Sequence, residues 1–276
     1  MLCFASMDTI TKFVVRDHGV AQVLFVRSVV FTAFAALLAY RTQGLWRTMC
    51  SKRPWLQAGR AALAVAESAC FVLAFRYLPL ADTHAVGASS PLFVVALSAP
   101  LLAEPVRLDR WVAVVVGFGG VLLIIRPGFA VLNVALLLPL VGAMMWGLYQ
   151  ILIRLCSRTD SSETTLLWSA AVSLVITSFI GLPTWAPPTG LAWALLIAIG
   201  LLGCLGYLAL TFALAATEAA AIQPYSYTLL LWVSVLGVVV FGDVPDRWTI
   251  AGGAIVVLSG LYAWYRERTS SRAPAA

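Results

Sequence analysis

Long apolar runs, each closed off by charged, proline or glycine residues, recur from one end of the chain to the other. Ten can be delimited: Met1 to Val15, Val20 to Tyr40, Trp55 to Leu78, Ala81 to Ala103, Trp111 to Ile125, Val131 to Ile153, Glu163 to Leu182, Leu191 to Thr211, Ala219 to Phe241 and Thr249 to Tyr265. Most approach the roughly 20 residues that a helix needs to cross about 30 Å of hydrocarbon. Strand-type alternation is missing, and the runs are too long for barrel strands. The pattern predicts an all-α integral membrane fold of ten transmembrane helices, with connections too short for a soluble domain. The first run is shorter than a full crossing, so either this helix begins inside the bilayer or its true start lies upstream. It lacks the basic stretch and small-residue cleavage site of a secretory signal peptide.

The pattern also repeats. Glu104 to Trp111 (EPVRLDRW) resembles Asp243 to Trp248 (DVPDRW), with Asp109-Arg110-Trp111 matching Asp246-Arg247-Trp248 after a two-residue gap. Each stretch follows a long apolar run interrupted by proline, Pro91 in the fourth and Pro224 in the ninth, and each leads into a glycine-rich run. The chain therefore divides into a first repeat over 1–128, a second over 129–268 and a tail over 269–276. Five helices per repeat is an odd number, so the second half is expected to sit upside down relative to the first. Inverted repeats with proline-interrupted helices at matching positions mark secondary transporters that bind their solute near the midplane.

Composition then excludes other classes. The chain is 62% hydrophobic and only 11% charged, against about 25% charged in soluble domains, which rules out a disordered, a secreted disulfide-stapled or a nucleic-acid-binding protein. The net charge of +6 is read as topology rather than as a sign of an acidic partner. Eleven of the eighteen Lys and Arg fall in the connections after the second, fourth and sixth runs and in the tail, and Arg60 lies close by at the start of the third run. By the positive-inside rule those segments face the cytoplasm, so both termini are cytoplasmic and the protein sits in the cell inner membrane. Five cysteines without a CxxC pair or a His cluster give neither a disulfide framework nor a metal site.

Several segments carry a family resemblance that spans essentially the whole chain. They are Phe4-Ala5-Ser6-Met7-Asp8 followed by Lys12, the pair Gln22 and Arg27, Ala74 to Asp82 (AFRYLPLAD) before Ser90-Pro91-Leu92-Phe93, and Phe241-Gly242-Asp243 before Val244-Pro245-Asp246. Together they resemble EamA-domain proteins of the drug/metabolite transporter superfamily, with Asp243 standing where members usually carry Glu. The resemblance implies a basket of helices around a central cavity that opens alternately to either side. It leaves the substrate open among amino acids, nucleotide-like metabolites, vitamins and amines.

Four ionisable residues fall inside apolar runs: Asp8, Lys12, Arg27 and Glu67. Each costs about 2.5–3.5 kcal/mol at a helix centre on insertion scales, so they are expected to face protein or a cavity rather than lipid. Two are negative and two positive, and Asp8 and Lys12 stand four residues apart on one helical face, close enough to pair. Lining a cavity, the set would bind a polar or zwitterionic solute, with Arg27 or Lys12 meeting a carboxylate or phosphate and Glu67 or Asp8 meeting an amine. The alternative is a structural ion-pair network pinning the first three helices. Trp146, Tyr149 and Gln150, together with Tyr225, Tyr227 and Trp232, could add a flat wall and polar groups for a ring-bearing solute, or simply pack between helices. Pro91 and Pro224 are read as hinges or plain kinks. His84 is read as a packing residue at the outer rim.

No HExxH, GxSxG or phosphate loop is present, so no enzyme, cofactor or metal is expected. The partners expected are a small-molecule substrate and the lipid bilayer, not nucleic acid, with the protein a monomer or a homodimer. The function expected is a secondary carrier moving a small polar organic metabolite by alternating access, an amino acid or a related zwitterionic or ring-bearing solute. A non-transporting membrane scaffold or a lipid-handling membrane enzyme is the alternative.

Overall fold

The computed structural model describes residues 1–102, 108–125, 134–217, 222 and 225–270. Within them the chain forms α1 (Leu2–Val14), α2 (Val20–Thr42), α3 (Leu45–Met49), α4 (Pro54–Tyr77), α5 (Leu80–Gly87), α6 (Ser90–Leu102), α7 (Leu108–Ile125), α8 (Leu137–Ser157), α9 (Ser162–Gly181), α10 (Gly190–Ala216), α11 (Thr228–Leu236) and α12 (Arg247–Ser270). No β-strand occurs among the described residues. Seven segments are long and apolar enough to cross a membrane, and Trp111–Ile125 and Thr228–Phe241 are shorter apolar helices. The protein is a multi-pass membrane protein. Tryptophans at segment ends are open on the surface, among them Trp46, Trp55, Trp111 and Trp248, as an interfacial belt requires.

Sequence chemistry sets the helix ends. Pro54 opens α4, where its missing N–H costs nothing. Ser161 caps α9 by accepting from the Thr164 N–H. The run from Ala81 to Ala103 is a broken span rather than one helix. α5 ends as the Ala88 and Ser89 N–H groups turn back to His84 and Val86, and α6 restarts at Ser90. Pro91 thus occupies the first turn of a new helix instead of kinking a continuous one. α11 leads into a wider π-type turn over Gly237–Phe241 that closes on Gly242 at φ 69°.

The helices pack across the chain. α2 lies on α9, α4 on α8, α1 on α10 and α7 on α12. At the last crossing the backbones nearly touch, since a Cβ at Gly252 would stand 2.5 Å from the Gly120 carbonyl oxygen. Glycine at both positions is what lets these helices approach.

Polar ties join distant parts of the chain at both ends of the bundle. At the Arg/Lys-rich end, Asp160 accepts from Ser51 Oγ (2.5 Å), the Lys52 N–H (2.9 Å) and Gln57 Nε2 (2.9 Å). The fully buried Arg60 donates to Gln57 Oε1, to the Thr165 carbonyl and to Ser169 Oγ, each at 2.9 Å. At the opposite end Lys12 pairs with Asp243, Gln22 donates to the Ala186 carbonyl, and Thr249 donates to Asp82.

Candidate functional site

A cavity of about 90 Å³ lies between α1, α2, α4, the α5–α6 break, α8, α10 and α11. Three of the four intramembrane charges border it, Asp8, Arg27 and Glu67. Glu67 is buried and accepts from Ser68 Oγ at 3.1 Å. Arg27 has no hydrogen-bond or ion-pair partner among the described residues, so its five donors are available to a ligand. Asp8 Oδ2 lies 3.3 Å from His84 Nε2.

Aromatic rings line the same cavity. Phe4 meets Trp146 and Tyr207 edge-on at 6.1 and 5.3 Å between ring centres. On the other flank Phe71 stacks on His84 at 5.8 Å and 25°. Phe4, Phe71, Trp146 and Tyr207 all border the cavity, as do Ser90 and Pro91 at the break between α5 and α6. A helix broken beside a cavity places its unpaired backbone ends where they can meet solute, the only depth at which a membrane tolerates them.

Other candidates lie elsewhere. The expected Asp8–Lys12 pair does not form. Lys12 pairs instead with Asp243, in the turn that follows Gly242, with its Nζ also 4.9 Å from the centre of the Phe241 ring. Tyr225 and Trp232 are 68% and 39% exposed and do not border the cavity. Trp232 stands on the open side of α11, whose almost uniformly apolar sequence has no polar face to orient it, and Tyr225 lies before that helix begins. Tyr149 is buried and stacks on Trp146, but it borders a smaller chamber between α2, α4 and α9. Gln150 is fully buried and borders neither cavity. Tyr227 borders the main cavity, and Pro224 lies outside the described residues.

His84, expected as a packing residue, does pack on Phe71 and Phe75, and it is also buried at the cavity beside Asp8. Its partner lies 76 residues upstream, so no local spacing could signal the contact. Gln57 and Arg60 stand three residues apart on one helical face, a spacing that allows the side-chain contact they make.

A bundle of apolar helices around a cavity lined by charged side chains and aromatic rings defines a membrane transporter. The chain belongs to the EamA-like transporter family, whose sequence profile matches residues 1–126 and again 133–265. It is 30% identical to a riboflavin transporter of Vibrio cholerae serotype O1 over 98% of this chain and 92% of that protein. It is 27% identical to an S-adenosylmethionine uptake transporter of Rickettsia felis over 80% of this chain and 75% of that one. A pseudopaline exporter of Pseudomonas aeruginosa is 28% identical, with 93% and 90% of the two chains covered. A solved crystal structure shares the fold, with a TM-score of 0.69 at 17% identity over 98% of this chain and 97% of that one.

Proposed function

We propose that this protein is a secondary carrier of the cell inner membrane that moves a ring-bearing polar metabolite by alternating access, with no enzymatic step. One observation carries the reading: the main cavity brings Asp8, Arg27 and Glu67 together with rings of Phe4, Phe71, Trp146 and Tyr207. Charge alone would suit an aliphatic amino acid, but the flat walls suit a ring that stacks. The riboflavin and S-adenosylmethionine carriers among the relatives move solutes that contain nitrogen heteroaromatic rings. A scaffold or a lipid-handling enzyme would have no use for an open, charged chamber at this depth.

The architecture proposed is ten crossings in two inverted repeats, 1–128 and 129–268. The seven long segments, the two shorter apolar helices and α1 supply ten. Exchanging the halves maps the α2–α9 and α7–α12 contacts onto themselves, and maps α1–α10 onto α4–α8 and α2–α10 onto α4–α9. Arg41, Arg47, Lys52, Arg53 and Arg158 all lie at one end, which the positive-inside rule assigns to the cytoplasm together with both termini. Pro91, at the α5–α6 break, serves as a hinge, and the same role falls to Pro224 in the second repeat.

Uptake into proteoliposomes tests this reading with flavins, nucleosides, aliphatic amino acids and amines as solutes. Saturable uptake of a ring-bearing solute, lost in Arg27→Ala and Glu67→Ala proteins that still unfold cooperatively, is the expected result. Uptake confined to aliphatic amino acids, or none at all, overturns it.

A further inference from the structure

Asp8 of α1 and His84 of α5 meet at the wall of the main cavity, with Oδ2 of the one 3.3 Å from Nε2 of the other. The imidazole is 6% exposed and the carboxylate 14%. No hydrogen bond from any described residue occupies Nε2. Two rings of α4 lie nearly parallel to the imidazole, Phe71 at 5.8 Å and 25° and Phe75 at 5.7 Å and 32°. The pair therefore joins α1 to the last turn of α5, four residues before the break at Ala88.

The charges around this pair do not balance. The titratable side chains bordering the cavity are Asp8 from α1, Arg27 from α2, Glu67 from α4, His84 from α5, Tyr207 from α10 and Tyr227 just before α11. α8 supplies Trp146, and α7 and α12, which also lie against α5, put no described residue on the cavity. Lys12, one turn along α1 from Asp8, is taken by Asp243. With the imidazole and both phenols neutral, one guanidinium stands against two carboxylates, an excess charge that a membrane interior disfavours. One added proton brings the sum to zero. Imidazole is the side chain that takes up and gives back a proton near neutral pH. As a cation, His84 donates a charge-assisted hydrogen bond to Asp8 and presents its charge to two ring faces.

The pairing also accounts for the free guanidinium. Asp8 and Glu67 share the cavity with Arg27, yet Asp8 faces His84, Glu67 accepts from Ser68, and neither pairs with Arg27. While His84 holds a proton, Asp8 stays engaged on α5 and the Arg27 donors are open to a solute. Once the proton leaves, Arg27 is the one cation left on the described wall, and the released carboxylate competes with the solute for its donors.

We infer that this carrier moves a proton together with its solute, and that the Asp8–His84 pair is where the proton rides. Water on the acidic side protonates the imidazole, solute and proton cross together, and the imidazolium returns the proton to water on the other side. Only the one N–H bond forms and breaks. The inference rests on the carrier reading and adds the coupling ion to it.

Proteoliposomes of the full-length protein test it with riboflavin and adenosine, which are uncharged near neutral pH and so are not trapped by a pH gradient alone. The membrane potential is clamped with potassium and valinomycin. With the interior one pH unit more alkaline, at least one of the two is expected to accumulate up to about tenfold, the limit for one proton per solute. A pH dye inside the vesicles is expected to report acidification when that solute is added. His84→Gln keeps a donor for Asp8 but does not titrate, and is expected to pass solute downhill at a reduced rate, without accumulation or dye signal. Asp8→Asn is expected to lose both signals too. Solute binding to folded protein in micelles is expected to weaken toward alkaline pH between about pH 5 and 8, and to lose that slope in both variants. Uptake by the unmodified protein that never exceeds the outside level overturns the coupling and leaves the carrier reading standing. Accumulation under the reverse gradient, or in His84→Gln under the original one, overturns it as well. If neither these solutes nor any other flavin, nucleoside, amino acid or amine is taken up, the carrier reading falls and the coupling with it.

Discussion

Lys12 Nζ lies 2.6 Å from Asp243 Oδ2, tying the first helix of the chain to the turn that precedes its last. The lysine is almost wholly buried and the aspartate is a quarter open. The Phe241 ring lies beside both Lys12 and Arg16, 4.9 and 5.0 Å from its centre. In an alternating-access carrier, a tie of this kind between the two halves must open on the side that admits solute.

Removing one partner leaves the other charge without its counterion in a partly dry site. Lys12→Met and Asp243→Leu are each expected to lower stability by about 2–3 kcal/mol, short of the 3–5 seen for fully buried pairs because Asp243 reaches solvent. The double variant is expected to cost less than the sum of the two. Apparent melting temperatures of the four proteins in micelles measure this coupling, and simple additivity would show that the pair contributes no interaction of its own.

The glycines of α7 and α12 separate into two kinds, which gives a paired test. A Cβ at Gly252 would press on the Gly120 carbonyl and on Ile124 Cγ1, so Gly252→Ala must push α7 and α12 apart. It is expected to destabilise by about 1–3 kcal/mol. A Cβ at Gly119 would meet nothing within 4 Å, so Gly119→Ala is expected to stabilise by up to about 1 kcal/mol through helix propensity. Thermal unfolding of both variants checks the contrast.

Tyr227 combines burial with an orphan hydroxyl. The residue is 6% exposed, and its Oη has no hydrogen-bond partner among the described residues. The hydroxyl rests against Gly260, where there is no room for a Cβ. Tyr227→Phe removes an unsatisfied polar group without changing the ring, and is expected to raise stability by about 1 kcal/mol with transport retained. A loss of transport in a more stable protein would show instead that the solute meets this hydroxyl.

How far the sequence discloses this molecule depends on whether a feature is local. The spans α2, α4, α9 and α10 follow from apolar length, because a helix that shields its own backbone is what a bilayer accepts. The break at Ala88 and Ser89 was half visible: Pro91 marks a disruption, but the choice between a kink and a fresh helix start rests on backbone turns that no composition encodes. Asp8, Arg27 and Glu67 could be singled out because charge inside an apolar run needs an explanation. Which charges meet is a tertiary matter, so Lys12 was assigned to Asp8 when it belongs to Asp243, and the contact of Asp8 with His84 carried no local signal.

Asp160 makes the tie at the Arg/Lys-rich end dependent on pH. It lies in the short connection between α8 and α9, outside the membrane-spanning segments. Partial burial alone would raise its pKa, but the hydrogen bonds from Ser51, Gln57 and the Lys52 N–H outweigh that and hold the carboxyl below its ordinary value of 3.8. Folding therefore favours the carboxylate. The stabilisation is present in full above the pKa of the unfolded chain, about 3.9, and is lost as pH falls through the lower value of the folded state. Because the group is largely open to solvent, the contribution is expected to be about 1 kcal/mol or less. Asp160→Asn should melt below the unmodified protein at pH 7 and at pH 5. The gap should close as the pH is brought down through 3, since both proteins then carry a neutral group at this position. A gap that persists unchanged into that range would show that shape, and not the negative charge, holds Ser51 and Gln57 together.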